Sequence, residues 1–471
     1  MNSAEAARQD DRSRTFYLYR VSLVAALGGF LFGYDLSLIS GAILFLEEEF
    51  ALSPYWVGMV TGSAILGCPF GPLCGMWLAD NMGRWWSLMI SGALFFVSAI
   101  GSSMAPDVWQ LILWRFVGGM GVGLASTISP MYISEIAPAH LRGRLVVVNQ
   151  LSIVIGLTLA VLVTYFLSFG GHWRLMFASQ AVPVLAFFIG LLYVPRSPRW
   201  LAMQNRNEEA LAVLTRINGE EAAIAEMQSI RSELGQESGG FREFLQPGVL
   251  TAIMIGVVLM VFSQINGVNM ILLYTPTLFM KAGISSAPDA ILNSVIIDVW
   301  IVICTVIAFW LTRQFGRRPI LIWGAIGMAF GHFLMYLNFA YELPLWLTLA
   351  AMFVPTGAFT LTLAPLSWVV VSELYPNRVR GKAMSLATCA MFTASFITVQ
   401  LFPSILEMFT TRFGHPGATF LLFVGVCLAC SFFVWRWVPE TKDQSLEQIG
   451  ERWLNEPTAN NPLASSEASI G

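Results

Sequence analysis

Charge is scarce in this chain. Only 12% of its 471 residues are Asp, Glu, Lys or Arg, about half the roughly 25% that a soluble domain carries. That shortage argues against a water-soluble globular protein. Histidine is down to 4 residues and cysteine to 6. The cysteines (Cys68, Cys74, Cys304, Cys389, Cys427 and Cys430) all lie inside apolar stretches. Cys427-x-x-Cys430 has metal-like spacing, but no second pair accompanies it, so these are small packing residues and no metal site is expected. There is no phosphate-binding glycine loop with Lys-Ser/Thr and no nucleophile–base motif. No enzyme activity and no cofactor are therefore expected, and ATP does not drive the chain. Nor is there a basic patch interleaved with aromatics, which argues against nucleic acid as a partner.

What the chain has instead is hydrophobic length. Apolar residues make up 56% of it. They gather in blocks such as Val21–Leu46, Val249–Met280 and Phe420–Val438, each covering the roughly 20 residues that cross a bilayer as a helix. Twelve blocks are present, six before residue 195 and six after 246. They start near residues 21, 55, 86, 109, 145, 174, 249, 290, 319, 345, 382 and 417. An all-α protein with twelve transmembrane helices is expected, its partner the lipid bilayer. The first twenty residues are polar and carry Arg8, Arg12, Arg14 and Arg20. The block that follows is too long for the core of a cleavable signal, so it reads as the first membrane helix. With the N-terminus inside, every Lys and Arg falls on the inner side except Arg115, Arg174, Lys281 and Arg412. That asymmetry places both termini in the cytoplasm of a multi-pass cell-membrane protein.

The two sets of six blocks repeat one another. Ser134-Glu135-Ile136-Ala137-Pro138-Ala139-His140-Leu141-Arg142-Gly143 returns as Ser372-Glu373-Leu374-Tyr375-Pro376-Asn377-Arg378-Val379-Arg380-Gly381. Gly83-Arg84 answers to Gly316-Arg317-Arg318, and Val194-Pro195 to Val438-Pro439. Pseudo-symmetric halves mark membrane proteins that rock one half against the other. The expected organisation is an arm over 1–20, a six-helix half over 21–194 and a connector over 195–245 with short amphipathic helices. A second half over 246–438 and a cytoplasmic tail over 439–471 complete it. Gly67, Gly71 and Gly75, with Gly119 and Gly123, are spaced to let helix backbones approach closely.

An ordered set of motifs carries a resemblance across nearly the whole chain. It runs from Gly29-Phe30-Leu31-Phe32-Gly33-Tyr34-Asp35 through Asp80-Asn81-Met82-Gly83-Arg84 and Arg115-Phe116-Val117-Gly118-Gly119. Ser197-Pro198-Arg199-Trp200-Leu201 and Pro439-Glu440-Thr441-Lys442 close it, with the two Glu…Arg-Gly phrases between. The chain resembles the sugar porter family of the major facilitator superfamily, and within it the bacterial proton–sugar symporters. The resemblance implies a proton-coupled symporter moving a sugar (a pentose, hexose or related polyol) by alternating access, acting as a monomer. A passive carrier of the same fold is the alternative. A transporter-like sensor is a third reading, which the short tail disfavours.

Three groups of residues follow. Asp80, Gly83, Arg84, Glu135, Arg142 and Arg144 of the first half, with Arg317, Glu373 and Arg380 of the second, form a candidate cytoplasmic latch. Such pairs hold in one state and break in the other, and each charge-assisted bond is worth about 1.5–3 kcal/mol when shielded. The family pattern has an acid where this chain has Arg313 and Arg196, so the latch is rebalanced here. Asp35 and Arg115 are ionisable groups at membrane depth, where burial penalises charge and a neighbouring opposite charge restores it. They are the candidate proton-coupling pair. A sugar needs amides and hydroxyls for its oxygens and an aromatic face for its C–H side. The resemblance assigns this to Gln150, Gln264, Asn269 and Trp368, with Phe32 and Tyr274 nearby. Ser263, Leu273 and Met391 depart from the family pattern at further contact positions, making the pocket less polar. Asp298, mid-helix in the eighth block, binds substrate or a cation or faces a hydrated vestibule. His332 reads as a packed core histidine.

Overall fold

Hydrophobic blocks of this length can satisfy their backbone polar groups in lipid only as helices, and helices are what form. The computed structural model describes residues 3–234, 244, 246–376 and 379–442, which contain no β-strand. The sequence expectation for the tail past residue 442 lies outside the described residues.

The first part of the chain holds α1 (Ser3–Glu49), α2 (Pro54–Gly67), α3 (Phe70–Asn81), α4 (Arg84–Ser103), α5 (Val108–Ile136), α6 (Ala139–Ser168), α7 (Trp173–Ser179) and α8 (Ala181–Leu191). Three short helices of the connector follow: α9 (Pro198–Met203), α10 (Asn207–Asn218) and α11 (Glu220–Leu234). The remainder is α12 (Pro247–Ile265), α13 (Val268–Lys281), α14 (Ala287–Gln314), α15 (Arg317–Ala340), α16 (Leu345–Leu361), α17 (Leu363–Leu374), α18 (Arg380–Phe413) and α19 (Ala418–Trp437). Among the described residues, 12 stretches are long and apolar enough to span a membrane, as the hydrophobic blocks predict. Four of the spans contain a break: α2/α3, α7/α8, α12/α13 and α16/α17.

Contacts divide the chain into two compact units. The first holds the first six spans together with Met270–Thr305 and Phe396–Met408. In it α1 packs along α6, and α5 packs against α2, α3 and α4. Its segments from late in the chain bond to the start of α2 and to each other. Gln400 donates from its amide to the Tyr55 carbonyl at 3.0 Å, and the Tyr274 hydroxyl donates to the Val399 carbonyl at 3.0 Å. The second unit includes Val306–Ser395 and the chain from Phe409. There α15 packs on α16 and α19, and α12 on α17.

The connector is stapled by its own small core. Trp200, Leu201, Leu214 and Met227 from α9, α10 and α11 are buried together. The amphipathic periods over α10 and α11 that the sequence shows are therefore used to make a helical platform.

Backbone contact explains the glycine spacing except at Gly75, where a Cβ would meet only side chains at 3.4 Å and beyond. A Cβ at Gly67 or Gly71 would collide with α5, and one at Gly119 or Gly123 would collide with the Ala64 or Cys68 carbonyl. Replacing Gly123 by Leu is therefore expected to abolish the monodisperse protein peak in fluorescence-detected size exclusion. Gly425→Ala, where an added Cβ meets nothing within 4 Å, is expected to leave that peak unchanged.

Candidate functional site

Asp35 and Arg115 come together in the first unit, one on α1 and one on α5. They are only 2% and 1% exposed. Space for the carboxylate comes from Gly118, where a Cβ would sit 3.2 Å from the Asp35 Oδ1. Arg115 donates from Nε to the Val60 carbonyl at 3.3 Å and lies over the Phe177 ring at 5.5 Å. The two charges act on each other, yet Asp35 Oδ2 and Arg115 Nη2 each lack a hydrogen-bond partner. This pair is coupled through space and not clamped, so a proton has an open oxygen to land on.

A third side chain was not legible as part of the site. Gln180, buried at the break between α7 and α8, faces the Asp35 carboxyl. Next to it, Ser179 shares a hydrogen bond of 2.9 Å with the Tyr34 hydroxyl on α1. The signal was there: a lone side-chain amide in an otherwise apolar span is costly unless it has work to do.

The polar candidates for sugar binding divide between the units. In the second, the break after Ile265 is built by Asn266 and Gly267. Gly267 takes a φ of +91°, a left-handed conformation that glycine adopts freely, and a Cβ there would run into the Phe423 ring. Asn266 caps both ends of the break: its Nδ2 donates to the Ser263 carbonyl at 2.7 Å, and its Oδ1 accepts from the Val268 N–H at 2.9 Å. Its own carbonyl accepts from His332 Nε2 at 2.8 Å and from Cys427 Sγ at 3.5 Å. Backbone groups freed at membrane depth are thus re-satisfied, as they must be. Across the break, Asn269 Nδ2 donates to Gln264 Oε1 at 2.6 Å, and Gln264 Nε2 reaches Ser263 Oγ at 3.3 Å. The structure therefore brings Ser263, Gln264 and Asn269 into one polar chain. Trp368 on α17 is exposed, and Met391 on α18 is buried.

In the first unit, Phe32 and Gln150 sit half-buried on α1 and α6, which touch so closely that a Cβ at Gly33 would meet the Ile153 carbonyl. Tyr274 is fully buried, packed on the Phe402 ring at 5.2 Å. Leu273 is half-buried beside it. Asp298 is buried on α14.

The latch candidates form a cluster within each unit. In the first, Arg84 binds Glu135 through Nη2 at 2.8 Å and Nε at 3.0 Å, and Asp80 through Nη1 at 3.2 Å. Ser197 donates its hydroxyl to the other Glu135 oxygen. Gly83 turns with φ +90°, its Cα side closed by the Trp200 indole 2.9 Å from where a Cβ would stand. Arg144 is exposed, and Arg196 lies over the Trp200 ring at 5.8 Å. The side chains of Arg142 and Arg313 lie outside the described residues.

In the second unit, Arg317 reaches Glu373 at 3.4 Å, and Arg380 donates to the Tyr375 carbonyl at 3.2 Å. A further acid takes part that the sequence reading left out of the latch. Glu440 accepts from the Arg317 and Arg318 N–H groups at 2.9 and 3.2 Å, at the N-terminus of α15. It also accepts from the Thr441 and Lys442 N–H groups. A carboxylate at a helix N-terminus is favoured by the helix dipole and the orphan N–H groups.

The chain matches the model of the family described as "Sugar (and other) transporter" over residues 21–453. It is similar to the D-xylose-proton symporter of Escherichia coli, 36% identical over 93% of this chain and 96% of that protein. It is also similar to the arabinose-proton symporter of Bacillus subtilis, 35% identical over 93% and 95%. Among solved structures it resembles the inward open conformation of the xylose transporter XylE from E. coli. That match has a TM-score of 0.81 at 34% identity and covers 93% of this chain and all of that one.

Burial works to raise Glu440, but its four backbone hydrogen bonds outweigh that and hold the carboxyl below the usual 4.5. A folded value below the unfolded one means stabilisation that is full above the unfolded value and is lost as pH falls through the folded one. Glu440→Gln is expected to lower the melting temperature at neutral pH. The gap to wild type is expected to close as the pH falls below about 4.3, followed by a thermal-shift series across pH.

Proposed function

This chain belongs to the sugar transporter family of major facilitator proteins, and from that we propose that it is a proton-coupled symporter of a pentose, hexose or related polyol. It is a transporter and not an enzyme. It sits in the cell membrane as a monomer with both termini in the cytoplasm, its orientation set by the inner-side Lys and Arg. The observation that carries the proton is the buried Asp35–Arg115 pair, with an Asp35 oxygen left open and Gln180 beside it.

Protonation of Asp35 removes the attraction to Arg115, whose guanidinium stays held to α2 by the Val60 carbonyl. Burial makes each change of charge a large local energy change, so the proton selects which arrangement of α1 against α5 is favoured. Sugar binding completes the coupling. Ser263, Gln264 and Asn269 lie at the broken helix, where a change in the break reorients all three at once; Gln150, Phe32 and Trp368 supply further polar and aromatic contact. One charge crossing 100 mV releases about 2.3 kcal/mol, which at about 1.4 kcal/mol per decade supports roughly fifty-fold accumulation of a neutral sugar.

On the inner face each half keeps a charged cluster, Arg84–Glu135 and Arg317–Glu373. We assign to these clusters the latch. Their bonds hold in one state of the transporter and break in the other, and Arg142, Arg144 and Arg380 belong to the same set. Such a few-bond change is enough to set a two-state balance.

A passive carrier is the competing reading, favoured by the bond that fixes Arg115 to the Val60 backbone as a structural residue. Asp35→Asn separates the two. The expected result in proteoliposomes is loss of uphill uptake and of sugar-driven internal acidification, with sugar exchange retained. Normal accumulation by that variant would make the transporter independent of Asp35.

A further inference from the structure

Asp298 stands apart from every group used above. It lies eleven residues into α14 from Ala287, about 16 Å along the axis at 1.5 Å per residue, near the middle of a hydrocarbon layer about 30 Å thick. Its side chain is 4% exposed, and its Oδ2 has no hydrogen-bond partner. Among the described residues no ion pair reaches the carboxyl, and burial is what acts on it.

Helix α1 touches α14 where Gly41 faces Ile291. On α1, Asp35 is set against Arg115, Glu47 against Lys281 with the like-charged Glu407 nearby, and Glu49 against Trp173 and Arg174. On α14 itself, Asp289 stands in the first turn. Cys304, more than a turn away, is buried.

A carboxylate buried at this depth without a counter-charge is too costly to persist. Two ligands could neutralise it: a metal cation or a proton. A metal cation needs several oxygen ligands. Among the described residues no group of three His, Cys, Asp or Glu gathers anywhere. The hydroxyls that share the Asp298 face of α14, Ser294 and Thr305, are turned back on the Ala290 and Ile301 carbonyls. A proton needs one oxygen, and Oδ2 is open.

We propose that Asp298 is a second proton-binding site, separate from the Asp35–Arg115 pair, whose carboxyl is neutral at physiological pH and must stay so for the protein to remain folded and active. Ionisation at alkaline pH then places an uncompensated charge inside α14 and sets an upper pH limit on transport. This inference does not depend on proton coupling at Asp35, since it concerns a different helix and a different readout.

Infrared difference spectroscopy of the reconstituted full-length protein tests it directly. Wild type minus Asp298→Asn at neutral pH is expected to show the C=O stretch of a protonated carboxylic acid, unchanged in an Asp35→Asn background. A carboxylate band in its place, or no difference at all, would overturn the proposal. Melting temperature gives a second measure. Wild type is expected to lose stability as pH rises, because a group carried neutral in the fold ionises freely when unfolded, whereas Asp298→Asn and Asp298→Ser stay level. Parallel pH curves for wild type and both variants would count against it. Sugar exchange with D-xylose by Asp35→Asn protein is a third, its alkaline fall expected to move up by about one pH unit or more when Asp298→Asn is added. Accumulation that survives Asp35→Asn would defeat the assignment of proton coupling to Asp35 and leave the carbonyl band to decide Asp298.

Discussion

Lipid offers no hydrogen bonds and no screening, so each polar group of this chain must find its partner within the protein. That constraint shapes the spans. It turns the Asn266–Gly267 break into a fully bonded joint, with side-chain caps on both sides and His332 and Cys427 on the exposed carbonyl. It also makes unsatisfied atoms conspicuous. Asp35 Oδ2, Arg115 Nη2, Gln180 Nε2 and Asp298 Oδ2 are among the buried polar atoms left open.

The charged clusters at the helix ends follow a different rule, because there each charge is met by an opposite charge. The two clusters are built on the same sequence phrase and yet differ. Arg84 is gripped twice by Glu135 and once by Asp80. Arg317 makes a single long contact to Glu373 while its backbone is held by Glu440. The first cluster is the tighter, and it is braced by the connector through Ser197 and Trp200. The repeat therefore supplies two charged clusters of unequal strength.

Much of this could be read from residue order. The membrane helices announce themselves by hydrophobic length, and the glycine spacing points to the backbone seam between α5 and the α2/α3 span. The Asp35–Arg115 pair is visible because charge inside an apolar block is rare. What stayed hidden depends on geometry that spacing does not encode. Gln180 carries no charge, so its lone amide in an apolar span is a fainter mark than a carboxylate, and spacing does not say that it faces Asp35. Glu440 lies far along the chain from the helix end that it caps. The pairing of Glu135 with Arg84, and of Glu373 with Arg317, inside each half was also not readable, since the sequence shows matched charges without showing which of them meet.

The joint at Asn266 has an evolutionary consequence. Its carbonyl is held by side chains from α15 and α19, neither of which carries a residue assigned to the sugar. Drift at His332 or Cys427 would change the set of the break, and with it the spacing of Gln264 and Asn269, while every sugar-facing side chain stayed the same. The geometry of this polar joint is thus open to retuning from α15 and α19, which bond to it through a backbone carbonyl.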